Sequence, residues 1–591
     1  MSHLERSAID SSASWLETIE DDAPLLLIAP HGGRAGPATH ALLNPKVNDL
    51  HTAEITRELA TLLGAPALIN AGMDRNRLDL NRLSQVSAQA PWFLETIHHR
   101  LAEIVARAGH ATVLIIHGWN VIQARLDLGL GLRRHDNELR TPGAARISAR
   151  DDFIHGSLEE LVGRLASHGI IASFGLRYPG GGAQNLLQAF TDRHLDNPVT
   201  ALRELSAMAS LGKIDAVQME LSVALRMPGQ LRKHCIDSIV EVFKRRSEVE
   251  QDSKVAPRYT VVRSAAPKPA PTAKRAVTPM APTRVGIELF DPSSNIGAMA
   301  SFDLGSGGVG ARIMILLPGG RVALFTGEGT PKREGGRLSL GPLALESDRG
   351  DLILTFDGHA VVVPDATHYL SIERALASGW LDESMQVTIR LHPRANRNPF
   401  ELDLLLERRE DAERDGPDAM FGELSGSTRI DGVTTSISGY GRSGISFTGI
   451  SPQQFTSRRM IWACFADEAA PTAIELRAVA TNDTEQRSGR ILRGGIWSHC
   501  EVESLEVETQ SVTAPPIHLS ANFTGQDSSR SVLVGAVENF IPLSRPGPNG
   551  TRIFTALGFA RFKLGECVGA GMFECSRRSD TPVVADDEGE D

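Results

Sequence analysis

Two histidines stand at the ends of short apolar runs and are the first candidates for chemistry in this sequence. His31 follows the run at residues 24–30 and precedes Gly32 and Gly33, whose missing side chains let a ligand approach the backbone closely. His117 ends the run at residues 111–117. Imidazole nitrogens are common ligands of catalytic zinc, so a shared metal site is one interpretation. The alternative is a pair of unrelated histidines at strand ends.

Three acidic residues extend this candidate set. Asp49 and Glu54 lie at the start of a helical pattern, and a carboxylate is a suitable third zinc ligand. Asp49 is equally suited to be the N-cap of that helix, accepting a backbone hydrogen bond. Glu220 lies in or just after a buried apolar run, where an unpaired carboxylate is costly. It is therefore either paired structurally or a general base for hydrolysis.

A basic segment supplies candidates for substrate binding. Asn81 and Arg82 follow Asp79 and Leu80, shortly after Arg77. An arginine grips a carboxylate through two parallel hydrogen bonds, and an asparagine amide can add a third. The alternative interpretation of such a pair is a salt bridge within a loop.

Strand and helix patterns alternate through residues 23–250, and this alternation predicts how the candidates are positioned. Short apolar runs typical of buried strands lie at residues 24–30, 66–70, 111–117, 170–175 and 215–221. Helical patterns separate them; the pattern over 91–108 has an apolar stripe of Phe93, Ile97, Leu101, Ile104 and Val105. The alternation predicts an α/β domain with a mainly parallel sheet and flanking helices. Active sites of such sheets lie at the carboxyl ends of the strands, where both histidines and Glu220 stand.

The remaining chain has a different character. Residues 251–284 are rich in Pro and Ala and predict an extended linker. Residues 285–580 contain short β-type runs separated by turn residues, which predicts an all-β sandwich or barrel region, as one large barrel or two small ones. Residues 1–22 are interpreted as a flexible leader and 581–591 as an acidic tail. The chain is therefore predicted to be multidomain.

Composition excludes several classes of protein. The 591 residues carry a net charge of −11, which argues against a dedicated nucleic-acid binder. No apolar run approaches the roughly 20 residues that span a bilayer, so membrane insertion is not expected. The N-terminus shows no secretory signal, and five cysteines without motif spacing suggest reduced thiols. A cytoplasmic protein is predicted.

The order of these motifs resembles the N-formylglutamate amidohydrolase family, which belongs with the zinc-carboxypeptidase-like and aspartoacylase-like hydrolases. The matching pieces are residues 30–34, 48–54, 79–82 and 218–221, with Asp-Leu-Asn-Arg the most specific. The resemblance implies one zinc per chain, held by His31, His117 and a carboxylate, with Asp49 the first choice and Glu54 the second.

The same resemblance implies further roles. Glu220 corresponds to the general base that activates the attacking water and then protonates the leaving amine. Asn81 and Arg82 correspond to the pair that holds the substrate carboxylate, while Arg34 or Arg77 would polarise the scissile carbonyl. The segment from Arg177 through Gly182 resembles a glycine-rich stretch near the pocket.

One departure from the family pattern concerns the second histidine. The family usually has an Asp two residues before its later His, whereas this chain has Ile115. The carboxylate that would orient the metal-binding imidazole is therefore expected to be missing.

Glycine and aromatic positions in the C-terminal half resemble the carotenoid-hydratase-like, lipocalin-type double barrels. The positions are Gly422, Gly439, Gly441, Trp462 and Gly569. The leading hypothesis for the chain is a zinc-dependent amidohydrolase acting on an N-acyl amino acid or a related carboxylate-bearing amide. The alternative is a non-catalytic binding protein, with a degenerate hydrolase domain and a β-barrel that holds an apolar ligand.

Overall fold

Two compact units make up the part of the chain that the computed structural model describes. The described residues are 14–33, 47–135, 138–141, 145–252, 284–304, 309–394, 419–446, 456–466, 472–481, 484–509, 514, 516–546 and 551–579. The described part of one unit ends at residue 252, and that of the other begins at residue 284. Most of the predicted linker and all of the predicted acidic tail lie outside the described residues.

The N-terminal unit is built on a seven-stranded mixed sheet of order β1-β3-β2-β4-β9-β5-β8. Its strands are β1 Leu16–Ile19, β2 Leu25–Ala29, β3 Ala67–Asn70, β4 Ala111–Trp119, β5 Arg125–Gly129, β8 Ile171–Phe174 and β9 Ile214–Ser222; a separate hairpin joins β6 Arg133–His135 and β7 Glu138–Arg140. Strands β3, β2, β4 and β9 run parallel, whereas β1 and β5 pair antiparallel with β3 and β9. The predicted α/β class is confirmed.

Helices cover the sheet and complete its core. They are α1 Thr52–Leu63, α2 Leu83–Gln89, α3 Pro91–Ala108, α4 Glu159–Ser167 preceded by a π-helical turn Phe153–Leu158, α5 Thr200–Ser210, α6 Val223–Arg226 and α7 Gln230–Asp252, with 3-10 turns at Leu186–Phe190 and Asp192–His194. The predicted stripe of α3 is buried at Phe93, Ile97, Leu101 and Ile104, in a core shared with β2, β4 and β9. Helical periodicity alone therefore located this packing face.

Part of the predicted leader is a strand. Residues 16–19 form β1, which pairs antiparallel with β3 at the edge of the sheet. Four residues are too few to show the apolar–polar alternation of a strand, and the flanking residues are polar, so the sequence did not indicate this strand. Arg57 of α1 binds Glu17 of this strand and ties it to the domain.

The C-terminal unit contains two antiparallel eight-stranded barrels. In the first, β10 Arg284–Asp291, β11 Ile296–Asp303, β12 Val309–Leu316, β13 Val322–Glu328, β17 Asp351–Val363, β18 Trp380–Pro393, β19 Ala419–Ile430 and β20 Val433–Ser446 close through the β13–β17 pairing. Three short strands extend this sheet beyond β17: β14 Lys332–Glu334, β15 Arg337–Leu340 and β16 Leu343–Asp348. A 3-10 turn Ala366–Leu370 and helix α8 Ile372–Ser378 connect β17 to β18, and a 3-10 turn lies at Pro318–Gly320.

The second barrel follows directly. It consists of β21 Ser457–Phe465, β22 Ala473–Ala480, β23 Glu485–Arg493, β24 Ile496–Thr509, β25 Pro516–Thr524, β26 Arg530–Pro546, β27 Arg552–Leu564 and β28 Cys567–Ser579. Apolar side chains such as Ile474, Leu476, Phe523, Phe562 and Phe573 fill its interior. The predicted all-β region is thus confirmed as two small barrels.

A helix that crosses a membrane has to be both long and apolar. Among the helices in the described ranges, none combines the length and the apolar character needed to cross a bilayer.

Candidate metal centre and hydrolytic site

The candidate site lies at the carboxyl ends of β2, β4 and β9. His31 follows β2 by two residues, and His117 and Glu220 lie near the ends of β4 and β9. The parallel register pairs His117 directly with Glu220, so both side chains stand on the same face of adjacent strands. The sheet edge thus brings together residues that are far apart in sequence.

Asp49 joins the two histidines. Its Oδ2 lies 3.3 Å from His31 Nδ1 and 3.1 Å from His117 Nδ1, and all three residues are buried. One ligand atom from each lies within 4.8 Å of the others, which makes this the group of His, Cys, Asp and Glu suited to a metal ion among the residues that the structure describes. The predicted first-choice carboxylate is the one that reaches the histidines.

The turn before α1 leaves the side chain of Asp49 free to contact both histidines. His51, at the start of the helix, has a left-handed backbone with φ of 68°, which a non-glycine residue adopts only at a cost. The N–H and hydroxyl of Thr52 donate to the carbonyl of Asp49, so the backbone satisfies the helix start. The Asp49 side chain makes no capping bond, and the N-cap interpretation is wrong.

Electrostatics keep Asp49 ionised. Burial raises the pKa of its carboxyl, but hydrogen bonds from His117 and His31 and the charges of His31 and Arg75 outweigh burial. The pKa of Asp49 is held well below its usual value. Arg75 Nη1 lies 3.2 Å from Oδ1, so the oxygen facing away from the histidines is also occupied.

His31 has an orienting carboxylate after all. Its Nε2 lies 2.7 Å from Oδ1 of buried Asp79, which also accepts from the N–H of Asn81. The Asp of the Asp-Leu-Asn-Arg motif is therefore a site residue that the sequence did not indicate, because its partner His31 is 48 residues away. His117 differs, because among the described residues its buried Nε2 has no hydrogen-bond partner.

Glu220 lies beside this cluster, almost fully buried. Gln218 Nε2 donates to its Oε1 at 2.7 Å. Burial raises the pKa of Glu220 to about 7; the charge of His117 opposes the rise and that of Asp49 adds to it. A carboxyl with this pKa can accept and release a proton near neutral pH.

Asp127, on the neighbouring strand β5, stabilises the loop that follows β8. It pairs with Glu220 in the sheet register, and its carboxylate accepts the N–H groups of Leu176, Arg177 and Tyr178. Tyr178 in turn packs edge-on against Trp119 at the end of β4, with ring centroids 5.8 Å apart. The glycine-rich segment is thereby tied to the strands that carry the site.

Sequence reasoning also missed Arg226. This arginine is 1% exposed and lies at the end of α6, just after β9. Burial lowers the pKa of its guanidinium, and the charges of Asp49 and Glu220 oppose that effect. An isolated arginine in an apolar-looking segment, Val223–Arg226, gives no sequence signal of its place in the site.

The remaining predicted residues lie around the cluster in different ways. Glu54 is exposed on α1 and does not join the histidines, so the structure separates it from Asp49. Asn81 is half-buried, with its Oδ1 accepting the N–H of Leu186, and Arg82 is exposed with Nε 3.8 Å from Asp79. Arg77 and Arg177 are exposed. Arg34 lies outside the described residues.

The donor set fits a zinc ion. Two imidazole nitrogens and one carboxylate oxygen are the three protein ligands typical of catalytic zinc sites, which keep a further position open. The hydrogen bond from His31 to Asp79 is the kind of contact that orients a metal-binding imidazole. With Glu220 alongside, the arrangement is chemically suited to hydrolysis.

Comparison with known proteins gives similarities of fold at low identity. No protein-family model and no curated protein matches the sequence. Among solved structures, N-formylglutamate amidohydrolase from Ralstonia eutropha JMP134 is similar to the N-terminal region, at 14% identity and a TM-score of 0.27, over 40% of this chain and 98% of that one.

The C-terminal region has similar structures of its own. A candidate AttH from Nitrosomonas europaea is 12% identical with a TM-score of 0.33, covering 55% of this chain and 99% of its own. Kievitone hydratase from Nectria haematococca is 9% identical with a TM-score of 0.29, covering 50% and 89% respectively. These are likenesses of fold, one for the N-terminal region and two for the C-terminal region.

Proposed function

We propose that the N-terminal unit is a zinc-dependent amidohydrolase. Its substrate would be an N-acyl amino acid, N-formyl-like in the simplest case, or a related carboxylate-bearing amide. The observation that carries the proposal is the buried His31, Asp49 and His117 cluster with Glu220 paired to His117 in the sheet register. His31, Asp49 and His117 would hold one zinc ion per chain.

Zinc at this place supplies a Lewis acid for the amide carbonyl and lowers the pKa of a water molecule. Glu220 is the general base: it takes a proton from the attacking water and returns it to the leaving amine. Its pKa of about 7 suits both transfers near neutral pH. Gln218 holds one carboxylate oxygen of Glu220 and so fixes the direction of the other.

Arg82 and Asn81 are the proposed clamp for the substrate carboxylate. The exposed guanidinium of Arg82 lies beside Asp79, and Asp79 in turn binds His31, so one residue links the proposed clamp to the metal centre. A clamp that holds the substrate carboxylate orients the amide towards the reacting groups and so lowers the entropic cost of hydrolysis. Arg77 and Arg177 are secondary candidates for substrate contact, and the role of Arg34 in polarising the carbonyl stays a prediction.

Glu220 also bears on the alternative, a non-catalytic binding protein. A glutamate paired with a structural arginine would favour that alternative. Glu220 instead accepts from the neutral amide of Gln218 and lies beside His117, which supports catalysis. An apolar ligand for the β region stays a prediction. A cytoplasmic location is supported by the five cysteines, none of which forms a disulfide.

The test combines metal content with activity. Purified full-length protein is analysed for zinc and assayed on a panel of N-formyl and N-acetyl amino acids, together with the His31→Ala and His117→Ala variants. We expect about one zinc per chain, lost in both variants together with amide hydrolysis. His99→Ala is the control, because His99 is exposed on α3 and paired only with Glu103. Wild-type protein that binds no zinc after incubation with Zn²⁺ would exclude the proposal.

A further inference from the structure

Arg226 is buried and makes its hydrogen bonds to amide oxygens instead of carboxylates. Its Nε donates to the carbonyl of Leu221 at 3.1 Å, and its Nη1 donates to the carbonyl of Leu50 at 2.5 Å. Its Nη2 donates to the carbonyl of Trp119 at 3.3 Å and to Oδ1 of Asn120 at 3.1 Å. One guanidinium therefore joins three separate stretches of backbone.

Each of these stretches carries a site residue. Leu50 follows Asp49, Leu221 follows Glu220, and Trp119 lies two residues after His117. The bond to Leu50 spans 176 residues of sequence, and the bond to Trp119 spans 107. His117 and Glu220 lie on strands, whereas His31 and Asp49 lie outside them, so the position of Asp49 relative to β4 and β9 needs such a link.

Gly118 shows how closely these groups are packed. A Cβ atom at Gly118 would lie 2.8 Å from Cζ of Arg226 and 2.9 Å from Cβ of Asp49. A side chain at this position would collide with both, so the backbone of β4 at Gly118 lies directly against the guanidinium and against the proposed ligand. The positive charge also lies close enough to Asp49 and Glu220 to interact with both.

We propose that Arg226 is a positioning residue for the metal centre: its planar fork fixes the Asp49 loop against the ends of β4 and β9 and so sets the spacing of the ligands and Glu220. This inference rests on the proposed zinc site. Arginine suits the task because its donors diverge in one rigid plane, whereas a lysine ammonium is a single point on a flexible stem. Arg226 touches no reacting group in this scheme.

The experiment measures zinc affinity of the full chain by competition with a chelator, for wild type, Arg226→Lys and Arg226→Met. We expect both variants to bind zinc about 10–100-fold more weakly, the range typical for loss of a group that orients ligands. Absorption of the Co²⁺-loaded proteins is recorded in parallel, because it reports ligand geometry and a general loss of stability would leave it unchanged.

Arg246→Met is the matched control. Arg246 is a largely buried arginine of the same unit, but it binds Asp215, near the amino end of β9. Its loss should lower the thermal midpoint in EDTA while leaving the zinc affinity of the folded protein unchanged. Gly118→Ala is a second route, should the Arg226 variants fail to fold. It should weaken zinc binding by forcing Arg226 and Asp49 apart.

The outcomes separate the two proposals. Wild-type zinc affinity and an unchanged Co²⁺ spectrum in Arg226→Met would overturn the positioning role and leave the metal site standing. Wild-type affinity in Arg226→Lys would overturn it too, since charge alone would then suffice. So would wild-type affinity in folded Gly118→Ala. Absence of zinc from wild-type protein would remove the proposed function and this inference together.

Discussion

At the scale of residues, the site contains two buried carboxyl groups with opposite pKa shifts. Asp49 accepts hydrogen bonds from two imidazoles, and its pKa falls well below the usual value. Glu220 has one neutral donor, and burial raises its pKa to about 7. Two carboxyl groups separated in this way can serve different tasks, one as a permanent anion and the other as a proton carrier.

Replacing Glu220 should separate activity from stability. Glu220→Gln is expected to lower kcat by about 10²–10⁴-fold, as for removal of a general base, with zinc binding retained. The same variant should be more stable in EDTA above pH 7. The raised pKa means that the folded protein holds a proton which the unfolded chain has lost, so wild-type stability falls as the pH rises from about 4.5 through 7. The resulting loss of unfolding free energy in the wild type approaches about 3 kcal/mol above pH 7.

Urea unfolding in EDTA at pH 5 and pH 8 measures this difference. Gln218→Ala is the companion variant, since it removes the neutral donor but keeps the carboxyl group. Equal stability of wild type and Glu220→Gln at both pH values would contradict the assigned burial cost. Full activity of the variant would exclude Glu220 as the base.

At the scale of elements, the connection from β2 to α1 combines tight packing with backbone strain. A Cβ at Gly32 would lie 2.7 Å from the carbonyl oxygen of Asn70 on β3, so the turn after the first histidine tolerates only glycine. At the end of the connection, His51 adopts the left-handed conformation next to Asp49. Strain at such a position is retained when the surrounding structure requires that geometry.

His51→Gly should relieve this strain. Glycine adopts a positive φ without steric cost, so we expect the free energy of unfolding to rise by about 1 kcal/mol in EDTA. His51→Val is the control and should lower stability, because a β-branched residue is least compatible with this conformation. Chemical unfolding monitored by far-UV circular dichroism measures both. A less stable His51→Gly protein would show that packing of the imidazole outweighs the strain.

At the scale of the whole molecule, a buried ionic network lies between the two barrels of the C-terminal unit. Arg442 of the first barrel binds Glu475 of the second at 3.0 Å and Glu288 of its own barrel at 3.1 Å. Trp462 of the second barrel donates to Glu288 at 2.8 Å. Charges removed from water in this way are costly unless they are paired, and these contacts pair them across the junction.

Arg442→Met should destabilise the C-terminal unit strongly. It removes the partner that Glu288 and Glu475 share. Glu475 keeps Arg477 and Arg490, so the expected cost is that of a lost charge-assisted hydrogen bond, about 1.5–3 kcal/mol. Calorimetry of the full chain should show the loss as a lower midpoint of one transition. Arg487→Met is the control: Arg487 pairs with Glu485 near the surface of the second barrel of the same unit, and its loss should cost about 1 kcal/mol or less. Similar effects of the two variants would contradict a structural role for the network.

The sequence by itself determined the features that depend on local spacing. Alternation of apolar runs and helical stripes predicted the α/β class, and the run at 111–117 located His117 at a strand end. Turn residues between short β-type runs predicted the barrels. Local pattern suffices in these cases since periodicity decides which face of an element is buried. The sequence left Asp49 and Glu54 open as the third ligand, because both carboxylates stand near the start of one helix.

The tertiary structure alone decided which groups meet across the sheet edge. Asp79 binds His31 from 48 residues away, and Arg226 reaches Leu50 across 176 residues. His117 stands beside Glu220 only because of the register between β4 and β9. These contacts depend on strand order and on the closure of long loops. Hydrogen bonds form only within about 3 Å and in a fixed direction, so spacing along the chain does not specify them.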